Sequence, residues 1–310
     1  MARPKRRVSE QPAGWWAVAG IAALVIADVV LVALALSSAR TPVPPAAAGV
    51  APTSLPTPSA DATPTPTPEP SPAAPSVAGL SVVLGAVDDT VAYRAVTGSC
   101  PDVAAEIEVT VDAGATWAPV LPIDARSIQS IAANPDEVSV IAADPASCAP
   151  SMHRSFVQGD DWAVADDLGS RWFLGGGGVV APGGSASTPC ETPVQVASRS
   201  EAEAAVLCED ATLTTTSDAG ASWADPASVP SAASVTSGAD GYFVAVTDHD
   251  GCDGAQVVSL STDLQSSTPG ECILSNAGPG ATVVSAAANG LLWLWSGDVV
   301  ARSSNGGATW

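Results

Sequence analysis

Three pairs of adjacent carboxylates, Asp88-Asp89, Asp160-Asp161 and Asp166-Asp167, are the first candidates for chemistry in this 310-residue chain. Two carboxyl groups about 5–10 Å apart across a glycosidic bond can hydrolyse it. Neighbours on a strand point to opposite faces, however, and Asp is common in turns, so these pairs read as solvated turn acids. The run Asp248-His249-Asp250-Gly251-Cys252-Asp253-Gly254 gathers oxygen ligands beside a glycine turn. Through Asp248, Asp250 and Asp253 it points to Ca²⁺, although it lacks the 12-residue loop pattern and its terminal Glu. No other cofactor is expected. His153 and His249 are the only histidines and have no thiolate or carboxylate at zinc spacing. The Gly175–Gly178 run lacks the following Lys and helix of a phosphate cradle. Trp293 and Trp295 alternate, so on a strand they share a face. Exposed, they would form a platform for a sugar or protein; the apolar neighbours Leu291, Leu292 and Leu294 favour packing instead.

The elements that position these groups announce themselves as repeats. Thr110-Val-Asp112-Ala-Gly114-Ala-Thr116-Trp117 returns as Thr216-Ser-Asp218-Ala-Gly220-Ala-Ser222-Trp223 and as Ser303-Ser-Asn305-Gly-Gly307-Ala-Thr309-Trp310. Two degraded copies are Ser155-Phe-Val-Gln-Gly159-Asp-Asp-Trp162 and Ser261-Thr-Asp263-Leu-Gln-Ser-Ser267. Their starts lie 45, 61, 45 and 42 residues apart, close to the period of a four-stranded propeller blade. The residue types suit a hairpin turn. Asp accepts bonds from nearby N–H groups, Gly takes a positive φ, a hydroxyl closes the loop, and Trp packs beside it. Short apolar runs broken by Gly, Asp, Pro and Asn precede each copy, among them Gly241–Thr247, Thr282–Ala286 and Val299–Ser303. They read as strands, and no long amphipathic helix follows residue 78.

The pattern resembles the Asp-box, or BNR, repeat of sialidases, sortilin-type receptors, some glycoside hydrolases and photosystem-II assembly-factor-like proteins. The resemblance covers residues 78–310 and implies a β-propeller whose box residues are rim turns, away from the central site. We therefore expect an all-β extracytoplasmic β-propeller of about five blades, irregular or incompletely closed. Two features motivate the irregularity: the 61-residue gap, and a last blade with three strands before Trp310. Sialidase chemistry needs an arginine cluster, a Tyr/Glu pair and an acid. The domain has only Arg94, Arg126, Arg154, Arg171, Arg199 and Arg302, with Tyr93 and Tyr242, and no Arg-Ile-Pro-like signature. A non-catalytic surface propeller binding a protein, peptide or glycan is the expected function. The alternatives are a diverged sialidase-like glycoside hydrolase, or an assembly or stability factor for a membrane complex.

Charge and cysteine divide the chain further. Of its 32 acidic residues only Glu10, Asp28, Asp61 and Glu69 precede residue 78, which leaves 28 against six Arg in the domain. So acidic a domain repels phosphate backbones, and nucleic acid is not an expected partner. The six cysteines all lie there and form no CxxC pair. In an exported domain they imply disulfides, with 15 possible pairings. Similar places in adjacent repeats suggest Cys100–Cys148; short separations suggest Cys190–Cys208 and Cys252–Cys272. Residues 1–14 form a basic tail, with Arg3, Lys5, Arg6 and Arg7 against Glu10. Residues 15–37 open WWAVAGIAALVIADVVLVALAL, and this apolar run spans about 33 Å as a helix, enough for a hydrocarbon core of roughly 30 Å. The basic tail places the N-terminus inside the cell membrane, Trp15 and Trp16 anchor the inner interface, and the domain lies outside. A cleaved signal peptide is the alternative, with Ser37-Ser38-Ala39 as its site; the apolar run exceeds the usual h-region of about 7–15 residues. Asp28 sits mid-span, either tolerated or a contact to another membrane helix. Residues 38–77 are a Pro/Thr-rich stalk of polyproline II character. The Ala- and Pro-rich style suggests a GC-rich bacterial source such as an actinobacterium.

Overall fold

A computed structural model of the protein describes Val77, residues 79–249 and residues 251–310. The basic tail, the anchor with Trp15, Trp16 and Asp28, the stalk up to residue 76, and Asp250 lie outside the described residues. Among the described residues no helix is long and apolar enough to cross a membrane.

The described chain folds into six antiparallel sheets, each made of consecutive strands. Blade 1 is β1 (Val82–Ala86), β2 (Ala92–Val96), β3 (Glu106–Thr110) and β4 (Ala118–Pro119). Blade 2 is β5 (Arg126–Ala133), β6 (Val138–Ala143), β7 (Pro150–Ser155) and β8 (Ala163–Ala165). Blade 3 is short: β9 (Phe173–Gly175), β10 (Gly178–Ala181) and β11 (Gly184–Ser185). Blade 4 is β12 (Pro193–Ser198), β13 (Ala204–Cys208), β14 (Thr212–Thr216) and β15 (Ala227–Ser228). Blade 5 is β16 (Ala232–Ser237), β17 (Gly241–Thr247), β18 (Gly254–Ser261) and β19 (Ser267–Leu274). Blade 6 is β20 (Thr282–Ala286), β21 (Leu292–Ser296) and β22 (Val299–Ser303).

Second strands such as β6 and β13 are buried along their whole length, because each blade is covered on both faces by its neighbours. Hence they read as continuous apolar runs, not as alternating ones. The first strand of each blade is innermost, and polar side chains on these strands bond to the backbone of the next blade. Val284 N–H donates to Ser234 Oγ (3.0 Å) and Val235 N–H to Gln195 Oε1 (2.8 Å). Gln129 exchanges two bonds with the Leu174 backbone, at 2.8 and 3.0 Å. Ala86 N–H donates to Ser285 Oγ (3.0 Å), which joins blade 1 to blade 6 and closes the ring. The molecule is thus a closed six-bladed β-propeller, not a five-bladed or open one.

The sixth blade hides in the 61-residue gap. Blade 3 turns through Gly176-Gly177 and Pro182-Gly183, with φ of 61°, 82° and 86° at the three glycines. It needs no Trp-ended turn, so the repeat leaves no mark there.

The disk has two unlike faces. On the start face, where first strands begin, lie Cys100–Cys148, Cys190–Cys208 and Cys252–Cys272, the pairing that the spacings suggest. The first joins the β2–β3 loop of blade 1 to the β6–β7 loop of blade 2. Three disulfides mark an oxidising environment. On the end face lie the turns between third and fourth strands, which contain the repeated motif.

Candidate functional site

The repeated turns share one hydrogen-bond plan. In blade 4, Thr216 Oγ1 donates to Asp218 Oδ1 (2.8 Å) and accepts from Gly220 N–H (3.1 Å). Asp218 then accepts from Ser222 N–H (2.9 Å) and Ser222 Oγ (2.6 Å). Thr110, Asp112, Gly114 and Thr116 repeat this in blade 1. Asn305 takes the acid's place in blade 6, accepting from Thr309 N–H and donating to Thr309 Oγ1, both at 3.0 Å. In blade 2, Ser155 still accepts from Gly159 N–H (2.8 Å), while Val157 replaces the acid. In blade 5, Asp263 accepts from Ser261 Oγ (2.6 Å) and Gln265 N–H (3.1 Å).

The turns of blades 2, 4 and 6 also grip the preceding blade. Leu121 donates its N–H to Gly159 O and accepts from Trp162 Nε1, both at 3.1 Å. Ser187 does the same with Gly220 O and Trp223 Nε1, both at 2.8 Å. Glu271 N–H donates to Gly307 O (2.8 Å), and its carboxylate accepts from Trp310 N–H (3.3 Å). These residues therefore fasten blade to blade at the rim.

Hydrogen bonds from Ser222 and Thr216 pull the Asp218 carboxyl down to about 2, from an ordinary 3.8. A depressed folded-state pKa adds stability above the unfolded value, and this is lost as pH falls from about 4 towards 2. Thermal melts of the full chain between pH 6 and pH 2 should show that loss. In Asp218→Ala the acid-side slope should be shallower and the melting temperature lower already at pH 6. Asp218→Asn should retain most of the pH 6 stability, as Asn305 serves the same turn in blade 6.

The concave site is the central channel. A cavity of about 460 Å³ is lined by first strands of five blades, through Val83, Ser130, Gln195, Ser237 and Ser285 among others. Its lining runs past the strand ends to Ala239, Ala288 and Gly290, on the end face. A second cavity of about 350 Å³ lies among blades 1–4, lined by Thr97, Met152, Trp172 and Phe173. No carboxylate lines either cavity. The charged lining residues are Arg171 in the smaller cavity and Arg199 in the larger. Arg199 is committed elsewhere: Nε and Nη2 donate to Gly238 O (3.3 Å) and Ala239 O (2.6 Å), and Nη1 pairs with Glu203 (3.5 Å). Gln195 spends its Oε1 on Val235, which leaves its amide N–H groups without a protein partner among the described residues. The chain enters the ring across the start face. Val77 N–H donates to Glu209 O on blade 4 (2.6 Å), and Ser81 N–H to Gly280 O beside blade 6 (2.9 Å).

The candidates read from sequence scatter away from this channel. Trp293 is fully buried, with Nε1 donating to Asp88 O (2.7 Å), so it forms no platform. Trp295 is half-buried under Arg94. Asp248 and Asp253 lie in the β17–β18 loop on the start face. Among the described residues no three His, Cys, Asp or Glu gather as a metal site. Asp88 caps its own turn by accepting from Thr90 and Val91 N–H, both at 2.8 Å. Asp167 pairs with Arg154, and Asp161 accepts from Trp162 N–H (3.0 Å). Burial raises the Tyr93 phenol and pushes that of Tyr242 up to about 12, so both stay neutral at pH 7. Burial lowers His153, whose Nε2 lies 3.1 Å from Ser151 Oγ. The channel residues leave little mark in the sequence because most of them are small and neutral. A lone amide inside an apolar strand, Gln129 or Gln195, is the signal the sequence offers.

No protein-family model and no curated protein matches the chain. Among solved structures it is similar to YCF48 bound to a D1 peptide, at 14% identity and TM-score 0.28, covering 76% of this chain and 66% of that one. It is also similar to a GH74 xyloglucanase from Xanthomonas campestris, at 18% identity and TM-score 0.30, covering 75% and 38%. A third is the WD40 propeller domain of Doa1, at 10% identity and TM-score 0.43, covering 75% and 96%. The chain thus spans less than two thirds of the first two.

Proposed function

We propose that the chain is a non-catalytic, extracytoplasmic binding or scaffolding propeller, held at the cell membrane by residues 15–37, with Asp-boxes as its rim turns. Its ligand is a protein, peptide or glycan. The observation that carries the reading is the channel lining: backbone and mostly apolar, hydroxyl and amide side chains, with Arg171 and Arg199 as its charged members and no carboxylate beside the open space. Hydrolysis of a glycosidic bond needs an acid and a base or nucleophile across it. Here Asp88 and Asp218 bind their own turns, Glu108, Glu137, Asp167 and Glu203 pair with arginines, and the two tyrosines are buried neutral phenols. Amide and hydroxyl groups in a funnel without carboxylates suit hydrogen bonding to peptide or sugar. The disulfides suit a domain outside the cytoplasm.

The test uses the full chain in detergent. It should release no chromophore from aryl sialosides, xylosides or glucosides. On glycan and peptide arrays it should bind saturably, and Ser237→Trp, which fills the channel, should weaken that binding by about tenfold or more. Glycoside turnover that follows the purified chain and disappears in Ser237→Trp would overturn the proposal.

A further inference from the structure

Seven of the eight exposed large apolar side chains among the described residues lie between residues 96 and 164, on blades 1 and 2. Scattered singly, such residues need no explanation; gathered, they mark a contact surface. Four of the seven gather at one place, the turn between β7 and β8. Phe156, 67% exposed, and Val157 stand in that turn, just before its Gly159. Leu121 of blade 1 is the residue that Gly159 O and Trp162 Nε1 hold. Val164, 69% exposed, follows Trp162 on β8.

The other turns show that the fold does not require this surface. The place of Phe156 is taken by Val111 in blade 1, but by Ser217, Thr262 and Ser304 in blades 4, 5 and 6. The place of Val157 is taken by Asp112, Asp218, Asp263 and Asn305, each of which bonds its own loop closed. Blade 2 gives up that clasp and keeps the rest of the plan. Ser155 Oγ still accepts from Gly159 N–H, and the Trp162 indole still reaches Leu121 O. Its turn thus holds the shared geometry while presenting a phenyl ring and an isopropyl group to solvent.

Charge selects what can cover them. From residue 79 to residue 165 the chain carries twelve acidic residues against Arg94, Arg126 and Arg154. Each of these arginines already pairs with a carboxylate: Glu108, Asp124, and Glu137 with Asp167, respectively. Asp160 and Asp161, both exposed, stand in the turn itself. A second copy of this chain, or an anionic lipid surface, would bring like charge to the contact and be repelled. A basic segment would be drawn in.

We infer that the end-face rim where blades 1 and 2 meet docks a segment of a partner protein in which apolar side chains alternate with Lys or Arg. Phe156, Val157, Leu121 and Val164 take up the apolar side chains, and Asp160 and Asp161 meet the cations. The surface lies outside the channel and does not depend on the channel binding anything.

The test is a titration of the full chain in phosphatidylcholine nanodiscs, read by fluorescence anisotropy against empty nanodiscs. The probe is a labelled nonapeptide alternating lysine with leucine or phenylalanine. Saturable 1:1 binding is expected. The double variant Phe156→Ser/Val157→Asp restores the residue types of the other turns. It should weaken binding about tenfold or more, with a melting temperature equal to or above that of the native chain. Leu121 enters the grip through its main chain alone, so Leu121→Ser should weaken binding about threefold with the melting temperature unchanged. A peptide with glutamate for each lysine should bind at least tenfold more weakly. No saturable binding, equal binding by the native chain and both variants, or equal binding of the two peptides overturns the inference. So does a concentration-dependent dimer that excludes the peptide and is lost in the double variant, which would make a second copy the occupant.

Discussion

Trp293→Ala is expected to destabilise the domain by about 3–5 kcal/mol, which is a large share of the 5–15 kcal/mol typical of a folded domain. Trp293 is 0% exposed and packs with Val82, Leu84, Ala86 and Ala92 of blade 1 and with Val283 of blade 6. It fills the seam where the ring closes. Alanine would leave a cavity there and strip the Asp88 carbonyl of its indole donor. Trp293→Phe keeps much of the volume and loses that bond, so about 1–2 kcal/mol is expected. Guanidinium unfolding of the full chain, followed by tryptophan fluorescence, checks both values. Near-equal stability of Trp293→Ala and the native chain would show that the closing seam contributes little.

The second large effect is expected from replacing Cys100 and Cys148 together by serine. That bridge spans 48 residues and ties blade 1 to blade 2, whereas the other two span 18 and 20. In the chain-entropy account a longer closed loop restrains the unfolded chain more, so its loss should cost about 4 kcal/mol against about 3 for each shorter one. The order matters more than the values. Denaturant midpoints of the three double-serine variants should place Cys100→Ser/Cys148→Ser lowest. An unchanged midpoint for that variant would show that packing alone holds the two blades together.

Much of the fold is legible in the residues. Gly241–Thr247, Thr282–Ala286 and Val299–Ser303 are strands with the bounds expected of them. Legibility follows from burial on both faces, which demands unbroken apolar runs, and from turns that need Asp, Gly and Trp at fixed places. Blade 3 is illegible for the complementary reason. Its three strands occupy residues 173–185, and their turns need only glycine. Glycine there looks like irregularity rather than a blade. Ring closure is equally hidden, because it rests on Ser285 and Trp293 meeting residues about 200 positions earlier in the chain. The channel resists reading for a third reason. Five separate strands each contribute three to five neutral side chains, and no spacing within the sequence links them.

The disk is riveted differently on its two sides. Sulfur–sulfur links hold one side; on the other, the turns of blades 1, 4 and 5 are held by carboxylates clasped by hydroxyls. A reductant therefore loosens the first and leaves the second intact, while strong acid does the reverse.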